Sequence, residues 1–201
     1  MRVVAIYAHP DDMEINCGGT IKLHSIKGHE IYSLILTDGE LGGAAEDRIK
    51  EAEKAAEILG VKETIFLHFR DGHVKVEPES IDIIRKYIND IKPDIIYTHY
   101  KEDYHQDHTN TYRLTISAAR RSDVSILTTE GISTLRFRPL IYVDIKKTIK
   151  YKVESIRAHK SQLVRRSISL DRVTLMARIR GYESGLYFAE AFYPIRMIFL
   201  R

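Results

Sequence analysis

The stretch that decides the fold is Arg2-Val-Val-Ala-Ile-Tyr-Ala-His-Pro-Asp-Asp-Met-Glu14, in which an apolar run leads directly into a polar cluster. A short run rich in Val and Ile predicts a buried strand. A second cluster, Asp103-Tyr-His-Gln-Asp-His108, follows another apolar run much further along the chain. Two clusters of histidine and carboxylate, each after a predicted strand, indicate a catalytic metal site.

Apolar and amphipathic segments alternate over the first two thirds of the chain. Apolar runs predict strands at Val3–Tyr7, Ile31–Leu36, Thr64–Phe69 and Asp94–Thr98. Amphipathic patterns predict helices at Thr20–Lys27, Glu46–Leu59, Pro78–Ile91 and His108–Arg121. This alternation predicts an α/β protein with a doubly wound, mostly parallel sheet and helices on both faces.

The last third is less regular, and it predicts a strand and helix extension. Strands are predicted at Ser125–Thr129 and Leu140–Asp144, with an antiparallel edge, and a final apolar element at Phe188–Ile198. Helices are predicted at Lys147–His159 and Leu170–Gly181. We expect residues 1–201 to form a single domain, because the sequence shows no repeat or linker.

Composition and charge exclude several classes of protein. The 201 residues are 44% hydrophobic and 29% charged, which is typical of a globular protein. The only cysteine, Cys17, rules out an internal disulfide framework, so a zinc site would have to use histidine and carboxylate. No apolar run approaches the length of about 20 residues that spans a membrane, and no signal segment precedes the first strand, so we expect a cytoplasmic protein.

The net charge of +3 decides little about partners. The basic pairs Arg120-Arg121, Lys146-Lys147 and Arg165-Arg166 are short, separated and without interleaved aromatic residues. They are typical of a solvated surface, and we expect no binding to nucleic acid or membrane.

The polar clusters are expected to meet at one edge of the sheet. Ligands of doubly wound sheets bind beyond the carboxyl ends of the strands, where the strand order reverses. If the order is 3-2-1-4-5, the first and fourth strands are neighbours, and the two clusters that follow them lie side by side. Polar turns after the second and third strands, at Thr37–Glu40 and Arg70–Gly72, fall on the same edge.

The residue types in these clusters favour metal-assisted hydrolysis of an amide or ester. His9 and Asp12, with one histidine of the second cluster, make the three-ligand set of a catalytic zinc site. Asp11 would lie beside the metal as a general base for water. The remaining histidine of the second cluster would stabilise an oxyanion or protonate the leaving amine, with Asp107 orienting its ring.

At these residues the sequence resembles the LmbE/PIG-L family of zinc-dependent N-acetylglucosaminyl deacetylases. The resemblance rests on Ala8-His-Pro-Asp-Asp-Met-Glu14, Gly18-Gly-Thr20 and His105-Gln-Asp-His108, with supporting motifs along most of the chain. Gln106 departs from the proline that the family commonly has there. The resemblance implies a Rossmann-like sheet and activity on a small N-acetylated amino sugar or glycoside.

The resemblance also implies a role for each site residue. His9, Asp12 and His108 would bind one zinc ion per chain. Asp11 would be the general base and His105 the electrophilic or general-acid residue, with Asp107 as its partner. Arg48 and Asp71 match positions that face the sugar. Ligand type alone also permits Fe²⁺ or Co²⁺. A homo-oligomer is expected, because the family is often oligomeric and a short chain leaves the crevice open.

Several residues have simpler interpretations that the sequence leaves open. Asp107 is equally suited to cap the helix that begins near His108. Arg48 with Glu51 fits a solvated helix pair. The segment Thr37–Glu40 fits an ordinary turn. His159 fits a helix surface as well as the rim of an active site.

Three other functions compete with deacetylation of an amino sugar. The same centre could act as an amidase on another N-acyl or thiol-conjugate substrate. A non-catalytic sugar- or nucleotide-binding module is disfavoured because ligands, base and acid are all present. A nucleic-acid binder is third.

Overall fold

In the computed structural model, which describes residues 1–198, all strands belong to one seven-stranded sheet. The strands are β1 (Arg2–Tyr7), β2 (Glu30–Thr37), β3 (Glu63–Phe69), β4 (Ile95–His99), β5 (Ser125–Thr129), β6 (Ile141–Asp144) and β7 (Ala189–Arg196). The helices are α1 (Asp12–Ile26), α2 (Ala45–Leu59), α3 (Pro78–Ile91), α4 (Gln106–Ala118), α5 (Ile149–Ala158), α6 (Lys160–Val164) and α7 (Leu170–Ser184).

The order of the strands is β3-β2-β1-β4-β5-β7-β6. The first five are parallel, and β7 pairs antiparallel with both β5 and β6. The predicted class, the order 3-2-1-4-5 and the antiparallel edge are all confirmed. The strand order reverses between β1 and β4, so the carboxyl ends of these two strands border the switch point.

The central strands of the sheet are buried on both faces, as their apolar sequences predict. Along β1, Val4 and Ile6 pack into one core cluster with residues of α3 and α4. Val3, Ala5 and Tyr7 pack into a second cluster, which includes Ile21 of α1 and Leu59 of α2. β1 therefore lies at the centre of the molecule, and the segment that follows it is held in a fixed position.

Helix α1 is the largest departure from the sequence prediction. It begins at Asp12, well before the predicted Thr20, and it is broken at Cys17, whose φ of −142° is not helical. At the break, Glu190 of β7 accepts hydrogen bonds from the backbone N–H groups of Gly19 and Thr20. Lys152 of α5 donates to the carbonyl of Ile15 and to Glu190. These side chains replace the backbone hydrogen bonds that the break removes.

The C-terminal third follows the prediction with changes at its boundaries. The predicted helix Lys147–His159 is observed as α5, which ends at Ala158, and His159 separates it from the short α6. The final apolar element is strand β7. Among the described residues, no helix combines the length and apolar character that crossing a membrane requires.

Candidate active site

The structure brings the two polar clusters together in one cavity at the carboxyl edge of the sheet. The cavity has a volume of about 390 Å³. Seven of the eight residues proposed from the sequence line it: His9, Asp11, Asp12, Arg48, Asp71, His105 and His108. The eighth, Asp107, is fully buried behind them.

The turn after β1 is held in a strained conformation. Asp11 has a φ of 107°, in the left-handed region that side chains disfavour. The N–H of His9 donates to Oδ2 of Asp12 at 2.8 Å. Arg48 donates from Nη2 to Oδ2 of Asp11 at 3.2 Å and also to the carbonyl of Pro10. These bonds aim three polar side chains of one short segment into the cavity.

The donor atoms of His9, Asp12 and His108 fit a divalent metal ion. Nδ1 of His9 lies 3.2 Å from Nε2 of His108 and 3.3 Å from Oδ2 of Asp12. Nε2 of His108 lies 3.3 Å from Oδ1 of Asp12. Ligands about 2.0–2.1 Å from a tetrahedral zinc ion are about 3.3 Å apart. The two nitrogens are at this distance from each other, and each is at this distance from one oxygen of Asp12, so the three side chains suit one ion. Three protein ligands would leave the fourth position of a tetrahedral ion open for water or substrate, as in catalytic zinc sites.

Three other combinations of residues at this site also bring donor atoms together, and each of them includes at least one of His9, Asp12 and His108. They are His9 with His105 and His108, Asp12 with His99 and His108, and His9 with Asp71 and Asp107. Nε2 of His99 accepts the N–H of Ala8 at 3.1 Å, so its lone pair is already used. Burial and nearby His108 lower the pKa of His99 to about 4. His99 is therefore a packed, neutral histidine.

Asp103 orients His108, a role that the sequence analysis missed. Its Oδ1 lies 3.2 Å from Nδ1 of His108 and accepts a hydrogen bond from Ser133 at 2.6 Å. Burial alone would raise the pKa of Asp103, but these contacts outweigh it and lower the pKa to about 2. The ionised carboxylate fixes Nδ1–H of the ring, which leaves Nε2 to face the ligand position.

His105 stands at the mouth of the cavity next to the other two histidines. Its ring centre lies 4.6 Å from that of His9 and 4.7 Å from that of His108. Burial and these two neighbours lower its pKa. His105 is also the residue that caps α4, because its Nδ1 accepts the N–H of Asp107 at 3.3 Å.

Asp107 is not the helix cap that the alternative interpretation proposed. It lies inside α4, where its carboxylate accepts the N–H groups of Gly72 at 2.7 Å and Val74 at 3.2 Å. Its Oδ2 also lies 3.5 Å from Nε2 of His9. Among the contacts of the described residues, the carboxylate of Asp107 therefore lies close to His9. The contact between Asp107 and His105 is made by the backbone N–H of Asp107.

Arg48 is not a solvated partner of Glu51. It is 4% exposed and bonds to the Asp11 turn, whereas Glu51 accepts two hydrogen bonds from Ser161. Burial raises the pKa of Asp11 to about 6, and Arg48 opposes this shift.

The carboxylate of Asp71 accepts a hydrogen bond from the N–H of Leu41, and it lies 3.1 Å from Nε2 of His9. Arg48 and Asp71 both line the cavity, but these contacts are with protein groups.

The other residues whose roles the sequence left open, the Thr37–Glu40 turn and His159, contact residues of the protein near the site. The Thr37–Glu40 turn supports the site, since Glu40 accepts the N–H of Asp71 at 2.8 Å. His159 is fully buried with its Nε2 3.7 Å from Glu14. Burial would lower the pKa of His159, but Glu14 and Asp11 outweigh it and raise the pKa.

The fold and the site define an α/β protein with a cluster of histidine and carboxylate donors, suited to one metal ion, at the switch point of a mostly parallel sheet. The chain belongs to the PIG-L family. The family, described as GlcNAc-PI de-N-acetylase, matches residues 4–119. The resemblance and the Rossmann-like fold expected from the sequence are confirmed.

Several relatives of the chain bear the names of deacetylases. The chain is 33% identical over 168 residues to the uncharacterized deacetylase YaiS of Escherichia coli K12, covering 79% of this chain and 90% of that one. It is 31% identical over 230 residues to diacetylchitobiose deacetylase of Thermococcus kodakarensis, covering 99% of this chain and 85% of that one. The structure of N,N'-diacetylchitobiose deacetylase from Pyrococcus horikoshii superposes with a TM-score of 0.85 at 26% identity. The superposition covers 96% of this chain and 83% of that one.

Proposed function

We propose that the protein is a zinc-dependent hydrolase that removes the acetyl group from a small amino sugar or glycoside of the N-acetylglucosamine type. The observation that carries this proposal is the grouping of His9, Asp12 and His108 beside Asp11 in a PIG-L chain: the two ring nitrogens lie 3.2 Å apart, and each lies 3.3 Å from one oxygen of the Asp12 carboxylate. The names of the relatives support the substrate class.

His9, Asp12 and His108 would hold the metal. A bound zinc ion would polarise the amide carbonyl and lower the pKa of water. Asp103 keeps His108 in the orientation that this role needs, and Asp107 and Asp71 flank Nε2 of His9 in the same way.

Asp11 would be the general base. Arg48 holds its Oδ2, so the other carboxylate oxygen is the one that takes a proton from the attacking water. The strained turn holds Asp11 beside Asp12, so Asp11 would act next to a metal ligand without binding the metal itself. Arg48 fixes this geometry from α2, which is a positioning role in addition to the contact with sugar that the resemblance implies.

His105 would face the carbonyl oxygen of the substrate and stabilise the charge that develops there. The proton that Asp11 took from the water would then pass through His105 to the leaving nitrogen, which releases the amine and acetate. Its position at the exposed edge of the cavity, in ring contact with His9 and His108, supports this role. Asp107 would assist through His9 and through the backbone of α4.

The test is acetate release from N-acetylglucosamine and its β-glycosides by the wild type and by Asp11→Asn, which keeps the size of the side chain. We expect release by the wild type and a loss of at least about a hundredfold in the variant. Equal rates in the two proteins would remove Asp11 from the mechanism. Release from thiol-conjugate amides alone would favour the amidase alternative.

We further propose a single domain and a cytoplasmic homo-oligomer. Strands from both ends of the described chain join one sheet, which supports the single domain. The outer face of α7 exposes Leu175, Ile179 and Tyr182, which supports contacts between subunits. No feature of the described residues favours Fe²⁺ or Co²⁺ over zinc.

A further inference from the structure

The ring of His108 contacts two different oxygen atoms through the nitrogen that does not face the other ligands. Oδ1 of Asp103 lies 3.2 Å from Nδ1 of His108, and Oγ of Ser133 lies 3.4 Å from the same nitrogen. The other ring nitrogen, Nε2, is the atom that lies near Asp12 and His9. The contacts at Nδ1 therefore decide how Nε2 is presented to a metal ion.

The hydroxyl of Ser133 can take only one role towards His108. It donates its single hydrogen to Oδ1 of Asp103 at 2.6 Å, so its oxygen is left to accept a hydrogen bond. The ionised carboxylate of Asp103 can only accept as well. In the neutral ring, Nδ1 of His108 must therefore carry the hydrogen, and Nε2 keeps the lone pair that a metal ion needs.

Ser133 holds one particular oxygen of the buried Asp103 carboxylate, the oxygen that faces His108. The same Oδ1 accepts the N–H of His105 at 2.8 Å, whereas Oδ2 accepts the hydroxyl of Thr134 at 3.0 Å. Without the hydroxyl of Ser133, the carboxylate would keep these two donors, so its charge would not be left unpaired. It would lose the contact that fixes its rotation, and with it the aim of Oδ1 at His108.

The backbone around Ser133 is fixed independently of its hydroxyl. The carbonyl of Ser133 accepts the N–H of Tyr104 at 3.1 Å, which ties the residue to the segment before α4. On the other side, Arg172 of α7 donates to the carbonyl of Ile132 at 2.9 Å. These bonds use groups that a substitution by alanine leaves in place. The variant Ser133→Ala should therefore remove the hydroxyl without moving the loop.

We propose that Ser133 is a positioning residue for the metal site, which acts through Asp103 to hold the His108 ring with Nε2 directed at the metal. The proposal rests on the proposed function for the assignment of His108 as a ligand. Ser133 lines the catalytic cavity but bonds to the support of the ligand. Its hydroxyl therefore sets how tightly the metal is held, a role separate from the proton transfers assigned to Asp11 and His105.

The first measurement is zinc affinity, by chelator competition, for the wild type, Ser133→Ala and Ser133→Thr. Losing an outer partner of a metal ligand weakens metal binding about 10–100-fold. Because the Asp103 carboxylate remains, we expect the lower end of this range, about tenfold, in Ser133→Ala. Ser133→Thr keeps the hydroxyl and should restore most of this loss. Thermal melts of the metal-free proteins verify that each variant is folded.

The second measurement tests whether Ser133 acts through Asp103. Adding Ser133→Ala to Asp103→Asn should weaken zinc binding by less than about threefold, because the carboxylate through which the hydroxyl acts is already absent. The matched control is Ser167→Ala. The hydroxyl of Ser167 belongs to a residue that lines the same cavity, but it donates to Gln162. Its removal should leave zinc affinity unchanged.

The outcomes separate this proposal from the proposed function. Wild-type affinity in Ser133→Ala, an equal loss in Ser167→Ala or in Ser133→Thr, or a full tenfold further loss in the double variant overturns the positioning role. A wild type that binds no zinc overturns both proposals. If the zinc affinities change as expected but the wild type releases no acetate, the deacetylase function fails while the role of Ser133 stands.

Discussion

Replacing Lys152 by methionine is expected to destabilise the protein by about 4 kcal/mol. The side chain is 3% exposed and joins two groups at the break of α1. It donates to the carbonyl of Ile15 at 2.7 Å and to Glu190 at 2.5 Å. Methionine keeps the length of the stem but leaves the Glu190 carboxylate buried without its cation.

The size of the effect follows from what each replacement leaves behind. Removing one partner of a buried ion pair costs about 3–5 kcal/mol, because the other charge stays buried. Glu190→Gln should cost about 3 kcal/mol, since its one amide oxygen can accept only one of the two N–H groups, from Gly19 and Thr20, that separate carboxylate oxygens accept, and Lys152 is left without its anion. The double variant leaves no unpaired charge and should cost about 4 kcal/mol, which gives a coupling energy of about 3 kcal/mol between Lys152 and Glu190.

Urea unfolding of the wild type, the two single variants and the double variant measures this coupling. The midpoints should shift with little change in the slope of the free energy of unfolding against urea. If the double variant lost the sum of the two single losses to within about 0.5 kcal/mol, the residues would act independently. The explanation of the broken helix by a buried ion pair would then be wrong.

Three further predictions concern other parts of the molecule. Burial beside His29 lowers the pKa of His24 from 6.5 to about 4. The unfolded chain therefore takes up this proton first as the pH falls. Stability should be complete above pH 6.5 and fall by up to about 3 kcal/mol towards pH 4, and His24→Gln should flatten this loss in urea titrations across that range. Gly19→Ala should cost about 1–3 kcal/mol by thermal melting, because its Cβ would lie 2.8 Å from Ile145. Asp103→Asn should weaken zinc affinity about 10–100-fold in a chelator competition, because the carboxylate no longer orients His108.

The class of the sheet could be predicted because the decisive information is local, whereas the order of its strands was assumed. Each parallel strand is a continuous apolar run, and each helix between them has one apolar face, so the class follows from periodicity. The sheet then brings the carboxyl ends of β1 and β4 together. This is why the spatial meeting of His9, Asp12 and His108 was predictable from two clusters far apart in the chain.

Long-range contacts explain what the sequence could not show. The start of α1 was missed because the break at Cys17 is stabilised by Lys152 and Glu190, which come from the far end of the chain. Arg48 resembled a surface residue because its partners, the Asp11 turn, lie on another element. Asp103 carried a signal, since it precedes the second cluster, but only the fold shows that it contacts His108.

The most direct test of the account measures metal content and acetate release together. Wild type, His108→Ala, Asp12→Ala and Asp11→Ala would each be loaded with zinc, dialysed and analysed by mass spectrometry for bound metal. We predict one zinc ion per chain in the wild type and in Asp11→Ala, with acetate release lost in Asp11→Ala, and loss of both metal and activity in the other two variants. Stoichiometric zinc in His108→Ala and Asp12→Ala, or full activity in Asp11→Ala, would contradict the assignment of ligands and base.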